Sequence, residues 1–301
     1  METWVIATIL AAAFQTARFM LQKKLSMGAL STSGATFARF VYSAPLVLLL
    51  VAVYLGLQGL SLPALSGLFW AYALTGGLAQ ILATICVVAL FRQRNFAVGI
   101  TFKKTEVVQT ALVGLVVLGE GVSAAGLGAI LVGLVGVLLL SGTPGLTGGN
   151  WAQRIATRAA GLGLLSGILF AISGVTYRGA SLELASDDPF LRAMVTLGAV
   201  TASQTIAMTL WLRWREPGQL SAVIAARRSA VWIGLTSMAG SLCWFTAFTL
   251  QNAAYVNAVG QIELIFSLAV SVLVFRERLT AREIAGIGLL SASVLSLVLL
   301  L

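Results

Sequence analysis

Four polar side chains at helical spacing interrupt the apolar stretch 97–118, and they are the first candidates for chemistry in this sequence. Their spacing of three or four residues places them on one face of a helix: Lys103, Glu106, Gln109 and Thr110. An ammonium, a carboxylate, an amide and a hydroxyl on one face can bind a small polar molecule. Lys103 and Glu106 can also form a purely structural ion pair, and the residues alone leave both interpretations open.

A second polar set occupies the apolar stretch 254–274, where Glu263 lies 157 positions after Glu106. Asn257 and Gln261 precede Glu263 by one to two turns. Because no Lys or Arg lies within one turn of Glu263, its carboxyl group must be protonated, paired across helices or exposed to water. These residues are the second group of cavity candidates.

One cation and three aromatic residues inside other apolar stretches complete the candidate set: Arg39, Tyr42, Trp244 and Tyr255. Three interpretations of Arg39 are open: it holds the carboxylate of a bound molecule, it extends toward lipid headgroups, or it pairs with Glu106. The chain has no His and two Cys. We therefore expect no metal site and no cofactor.

Composition indicates which elements position these residues. Of 301 residues, 59% are hydrophobic and 10% are charged, whereas a soluble domain has roughly 25% charged residues. A bilayer-spanning helix needs roughly 20 mostly apolar residues, so we predict an all-α integral membrane fold with about ten transmembrane helices, one of them kinked at Pro45. The predicted helices are 4–22, 32–55, 67–90, 97–118, 124–141, 159–177, 190–212, 229–250, 254–274 and 283–300. Glu106 would then lie near the middle of the bilayer, roughly 15 Å along its helix.

The loop charges predict the orientation of these helices. Lys and Arg follow the first, third, fifth, seventh and ninth predicted helices, as in Lys23-Lys24 and Arg227-Arg228. Basic loops are cytoplasmic in most membrane proteins, so both termini are predicted on the periplasmic side of a bacterial inner membrane. This topology also accounts for the net charge of +9. Nucleic acid is therefore not an expected partner; the expected partners are the lipid bilayer and a small-molecule substrate.

The chain also contains an internal repeat at an offset of 157 residues. This offset pairs rare residue types, including both cysteines and two pairs of glutamates: Cys86 with Cys243, Glu106 with Glu263, and Glu120 with Glu277. We predict a first five-helix repeat at 1–142, a linker at 143–158 and a second at 159–301. Five is an odd number, so the repeats must be inverted relative to each other, as in many secondary transporters. Two repeats in one chain predict a functional monomer.

Two segments carry a resemblance to a known family: "FRQRNFAVGITFKKTEVVQTALVGLVVLGEGVSAAGLGAIL" and "FTLQNAAYVNAVGQIELIFSLAVSVLVFRERLTAREIAGIGLL". Both resemble the EamA-type repeat of the drug/metabolite transporter superfamily, with a Glu inside the fourth helix and a "GE" or "RE" turn before the fifth. Overall, the chain looks most similar to YddG-type amino-acid exporters. One departure is the doublet Lys103-Lys104, where the second repeat has Gly260-Gln261.

The resemblance implies a ten-helix carrier without enzymatic activity. The expected function is export of small metabolites by alternating access, with aromatic or other neutral amino acids as the expected substrates. Three alternatives remain open: a drug or other metabolite exporter of the same superfamily, a channel, and a membrane-embedded lipid-modifying enzyme. The enzyme is disfavoured because the chain has no His and no Asp inside any predicted helix.

Overall fold

The structure, a computed structural model, describes residues 2–28, 30–92, 102–140, 158–266, 269 and 280–300. These residues form twelve helices and no strand. In chain order the helices are α1 (Thr3–Ser26), α2 (Thr32–Val41), α3 (Ala44–Gln58), α4 (Gly67–Leu90), α5 (Glu106–Leu118), α6 (Ala124–Leu140), α7 (Arg158–Leu182), α8 (Pro189–Arg215), α9 (Gln219–Ala225), α10 (Arg227–Leu250), α11 (Ala253–Gly260) and α12 (Ala281–Leu300). Glu277, most of the predicted linker and parts of the fourth and ninth predicted helices lie outside the described residues.

Within the described residues, seven helical segments are long and apolar enough to cross a membrane, with α2 and α3 counted together as one. Three shorter apolar helices accompany them: Glu106–Leu118, Ala124–Leu140 and Ala253–Phe266. Large apolar side chains cover the outside of this assembly, and Val116 and Leu299 are each 83% exposed. Such a surface is stable in lipid but not in water, so the predicted all-helical membrane fold is confirmed at this level.

The second predicted helix is broken near Pro45. Helix α2 ends at Val41, and α3 begins at Ala44 with Pro45 in its first turn. Proline lacks a backbone N–H and its ring clashes with the preceding turn, but the first turn of a helix tolerates both effects. The predicted kink is therefore a complete break between two helices.

Two further irregularities were not predicted: within the described residues, the helices expected over 97–118 and 254–274 each contain a two-residue turn directly before their glutamate. A turn at Lys104-Thr105 precedes α5, and a turn at Gln261-Ile262 separates α11 from a helical turn at 263–266. In the first turn, the Thr105 hydroxyl donates to the Phe102 carbonyl over 2.7 Å, a local bond that competes with helix formation. The two turns are 157 residues apart, so each intramembrane glutamate begins a new helical segment.

The main packing contacts join the two halves of the chain. Helix α1 packs along α10, α4 along α7, and α6 along α12. Glycine permits the closest of these approaches. A Cβ at Gly136 in α6 would lie 2.8 Å from the Leu290 nitrogen of α12, and one at Gly76 in α4 would lie 2.4 Å from Thr176 of α7.

Exposed basic residues from several helix ends collect at one end of the bundle, which we call the basic end. The Phe19 and Phe91 rings are 6.1 Å apart and join the end of α1, with Lys23-Lys24, to the end of α4. The Ser31 N–H donates to Gln219 of α9 over 3.0 Å. Helix α9, which was not predicted, lies between Arg213 and Arg215 at the end of α8 and Arg227-Arg228 at the start of α10.

Candidate functional site

A cavity lies between the two halves of the chain, and its empty volume, including the part open to solvent, is about 600 Å³. We call it the central cavity. Its walls come from α1, α2, α4, α7, α10 and α11 and from the segments around both glutamates. Seven of the eleven predicted site residues line it: Arg39, Lys103, Glu106, Trp244, Asn257, Gln261 and Glu263.

The other two residues of the predicted helical stripe do not line the cavity. Gln109 and Thr110 lie about one turn further along α5 than Glu106, beyond the cavity wall. Gln109 lies against α7, where its Oε1 would be 2.7 Å from a Cβ at Gly167. Thr110 accepts a hydrogen bond of 2.9 Å from the Asn257 side chain. It therefore positions a cavity residue without being one.

Two predicted aromatic residues also lie elsewhere. The Tyr42 hydroxyl donates to the Val223 carbonyl of α9 over 3.0 Å, at the basic end. The Tyr255 hydroxyl accepts from the Ser123 N–H over 2.9 Å, next to the start of α6. Both phenols use their polar tips to join helix ends, which aromatic residues with an apolar body and a polar tip commonly do.

Glu106 has a local counter-ion. The Lys103 Nζ is 3.0 Å from Glu106 Oε2, and both side chains are largely buried. Glu106 is also the first residue of α5, where the helix dipole stabilises a negative charge. The ammonium of Lys103 lies 5.1 Å from the centre of the Phe170 ring, within reach of a cation–π interaction. The structural ion pair considered from the sequence is therefore present, and both of its members line the cavity.

Glu263 has a counter-ion from the other half of the chain. Its Oε1 pairs with Lys104, and its Oε2 accepts a hydrogen bond of 2.7 Å from Gln15 of α1. Of the three interpretations that the sequence left open, the structure shows pairing across helices. The pair joins the turn before α5 to the turn after α11.

Arg39 is the cavity cation without a carboxylate partner among the described residues. Its guanidinium donates to the hydroxyls of Thr84 and Ser241 over 3.2 and 3.3 Å, and the residue is 4% exposed. The pairing with Glu106 considered from the sequence is not formed. Because burying a charge without a counter-ion is costly, the guanidinium is suited to a negatively charged group of a guest molecule.

Aromatic rings that were not predicted form much of the cavity wall. Tyr177 stacks on Phe245 with ring centres 4.3 Å apart, and Trp244 stacks on Phe248 at 5.6 Å. The Tyr177 hydroxyl donates to the Gly76 carbonyl over 3.1 Å, which fixes the ring. A signal was available in α7, where the wall residues Phe170, Ser173 and Tyr177 are spaced three and four residues apart. Serine and aromatic residues are too common in apolar helices for that spacing to stand out.

Two cavity residues also have a buried polar atom without a hydrogen-bond partner in the described part of the chain. These atoms are the indole Nε1 of Trp244, a donor, and the Oε1 of Gln261, an acceptor. Buried polar groups are nearly always paired, and exceptions call for an explanation. A donor and an acceptor in the same cavity as a guanidinium without a carboxylate partner are what a bound polar molecule would use.

Comparison with known proteins connects this architecture to a family. Residues 157–299 match the EamA-like transporter family, which supports placing the chain in the drug/metabolite transporter superfamily as a multi-pass membrane protein. Twenty-eight chains of solved structures match it. One, a crystal structure of a protein, aligns with a TM-score of 0.71 over 98% of this chain and 96% of that chain at 14% identity, so the likeness shows the fold alone. No curated protein matches the chain.

Proposed function

We propose that this chain, whose second half matches a family of membrane transporters, is an alternating-access carrier that exports small zwitterionic metabolites. The substrates are amino acids with aromatic or other neutral side chains, and the membrane is a bacterial inner membrane. The observation that carries the proposal is the Arg39 guanidinium, which is buried in the central cavity and, among the described residues, has hydroxyl groups and no carboxylate as hydrogen-bond acceptors. A substrate carboxylate supplies the missing negative charge.

The charges around the cavity favour a zwitterion over a simple anion. Lys103 with Glu106, and Lys104 with Glu263, are two neutralised pairs, so among the charged residues that line the cavity Arg39 is left as one net positive charge. A substrate carboxylate on Arg39 balances that charge. The ammonium group of the same substrate can then take a share of the Glu106 or Glu263 carboxylate. The stacked rings of Trp244 and Phe248 offer an apolar surface for its side chain.

Two features support two inverted halves that rock about the cavity. In the numbering of the ten predicted helices, the first helix packs on the eighth, the third on the sixth and the fifth on the tenth. If each helix is replaced by its equivalent in the other half, the contact of the first helix with the eighth becomes the contact of the sixth with the third. The contact of the fifth helix with the tenth stays the same. The broken helices before Glu106 and Glu263 also correspond, and inverted-repeat carriers bind substrates at such breaks. One chain supplies both halves, so a monomer suffices.

The basic end supports the orientation. Its basic residues come from the ends of α1, α4 and α8 and the start of α10, and such clusters face the cytoplasm in most membrane proteins. With this end in the cytoplasm, the N-terminus of α1 and the C-terminus of α12 face the periplasm. Export then means movement from the basic end to the opposite end.

Counterflow in proteoliposomes tests the proposal. Vesicles loaded with unlabelled phenylalanine should accumulate labelled phenylalanine faster than protein-free vesicles. Arg39→Gln should slow this exchange roughly tenfold or more, since a hydrogen bond to a charged group contributes about 1.5–3 kcal/mol. Arg213→Gln, at an exposed arginine of the basic end, is the matched control and should exchange normally.

Competition with phenethylamine, which lacks the carboxylate of phenylalanine, separates this proposal from its main alternative. If Arg39 binds the carboxylate, the amine competes at least tenfold less well than phenylalanine. Equal competition would favour an exporter of cationic drugs. Absence of counterflow above protein-free vesicles, with any neutral amino acid, would contradict the amino-acid assignment.

A further inference from the structure

We propose that the ion pair between Lys104 and Glu263 is a gate, which in this structure closes the central cavity toward a second cavity at the basic end. Opening the pair would join the two cavities into one path for the substrate. The use of that path for transport rests on the proposed function, whereas the closure itself depends only on the contacts described below.

The second cavity lies on the basic-end side of the glutamates. Its empty volume, including the part open to solvent, is about 690 Å³. Its walls include Phe19 and Lys23 from the last turns of α1, and Phe91, which directly follows α4. Both helices end at the basic end, so this cavity is on the cytoplasmic side in the proposed orientation.

Only a thin partition separates the two cavities. Lys103 and Glu263 line both of them, so these side chains have one cavity on each side. Lys104 lines the second cavity but not the central one, and it is 2% exposed. The ion pair of Lys104 with Glu263 therefore lies where the two spaces come closest.

The partition is formed by two segments that belong to different halves of the chain. Lys104 is in the turn before α5, and Glu263 follows the turn after α11, so neither side chain projects from the middle of a continuous helix. When two inverted halves move relative to each other, these two segments separate. The ion pair is one of the direct polar contacts between the halves that such a movement would break.

Opening need not leave a buried charge without a partner. Once the cavities are joined, water can reach both Lys104 and Glu263, and hydration offsets the lost attraction. Gln15 of α1, which belongs to the same half of the chain as Lys104, donates a hydrogen bond to Glu263 Oε2. The other carboxylate oxygen, Oε1, accepts from Lys104. A gate of this kind has two low-energy states, one paired and dry and one separated and hydrated.

Cysteine accessibility tests the gate without any substrate. Ser173 lines the central cavity and not the second one, so it is replaced by Cys in a background with Cys86→Ser and Cys243→Ser. A cationic, membrane-impermeant methanethiosulfonate is then applied to the basic-end face of oriented vesicles. Labelling should be slow with the ion pair intact and at least tenfold faster in Lys104→Gln. Glu263→Gln breaks the same pair from the other half and should give the same acceleration.

Two further variants control for charge and for nonspecific loosening. Lys24→Gln removes a positive charge from an exposed position at the same end and should leave the labelling rate unchanged. The exchange Lys104→Glu with Glu263→Lys re-forms the pair and should return the rate toward that of the intact protein. An unchanged rate in both single variants, or no recovery in the exchange variant, would overturn the gate. Absence of amino-acid counterflow would contradict the proposed function alone, since the labelling experiment contains no amino acid.

Discussion

The two intramembrane glutamates occupy equivalent positions in the repeat, yet they are neutralised in different ways. Glu106 pairs with Lys103, three residues earlier in the same segment. Glu263 pairs with Lys104, which belongs to the other half of the chain. Both carboxylates begin a helical segment after a two-residue turn, so the backbones correspond while the ion pairs do not.

At the two glutamates the halves therefore have similar local backbones and different charges. The first half has Lys103-Lys104 where the second has Gly260-Gln261, so one half supplies the cations for both glutamates. One of these cations forms a local pair, and the other forms a tertiary contact between the halves. Four measurements test this difference between the halves.

The largest effect is expected from removing the tertiary partner. Lys104→Gln leaves Glu263 without its cation and should lower the free energy of unfolding by about 3 kcal/mol or more. Lys103→Gln should cost about half as much, because Glu106 begins a long helix whose dipole partly offsets its charge. Thermal unfolding in detergent, followed by circular dichroism, gives the order of the two variants. If Lys103→Gln is the more destabilised, the distinction between local and tertiary pairs is wrong.

Double-mutant cycles measure the same difference as coupling energies. The cycle of Lys104→Gln with Glu263→Gln should give about 2 kcal/mol, within the range for groups in direct contact. The cycle of Lys103→Gln with Glu106→Gln should give about 0.5 kcal/mol, because residues three apart interact locally even when the halves are apart. Lys24→Gln combined with Glu263→Gln is the control and should show no coupling. Equal coupling energies for the two ion pairs would show that the pair between the halves is no stronger than the local pair.

A glycine substitution tests why the second half has no lysine at position 260. A Cβ at Gly260 would lie 2.4 Å from the Trp244 ring, and the equivalent of Trp244 in the first half is the smaller Val87. Gly260→Ala should therefore displace Trp244 and destabilise the protein by about 1–2 kcal/mol. Gly128→Ala, which meets no heavy atom within 4 Å, should be neutral or slightly stabilising in the same unfolding assay. A neutral Gly260→Ala would show that Trp244 is not what excludes a side chain there.

The smallest effect is expected from a third ion pair, at the opposite end of the bundle. Arg178 of α7 binds Glu120 at 2.8 Å and donates to the Phe248 carbonyl at the same distance. The Glu120 side chain is 25% exposed, so water already solvates part of its charge. Glu120→Gln should cost only about 0.5–1 kcal/mol and should lose most of that difference at high salt. A loss as large as that of Lys104→Gln would mean that exposure does not explain the ranking.

The sequence alone determined the membrane character and the positions of most helices, and it predicted the two glutamates as site candidates. These properties depend on composition and local pattern: long apolar stretches must be helical in a bilayer because every backbone polar group needs an internal partner. The residue pair Lys103 and Glu106 was also accessible, since residues three apart in one segment meet whatever the rest of the chain does. The inverted arrangement of the halves remains a prediction that the packing supports.

Only the tertiary structure decided which side chains share the cavity. The turns at Lys104-Thr105 and Gln261-Ile262 interrupt helices that apolar composition predicts to be continuous. Gln109 and Thr110 follow Glu106 in the same helix, yet they lie outside the cavity wall. The contact of Lys104 with Glu263 joins residues 159 positions apart, so no local pattern reveals it. The helical period specifies which face of a helix a residue occupies. The partner that covers that face depends on how the two halves pack. A charge in the bilayer is therefore neutralised by whichever opposite charge this packing brings near.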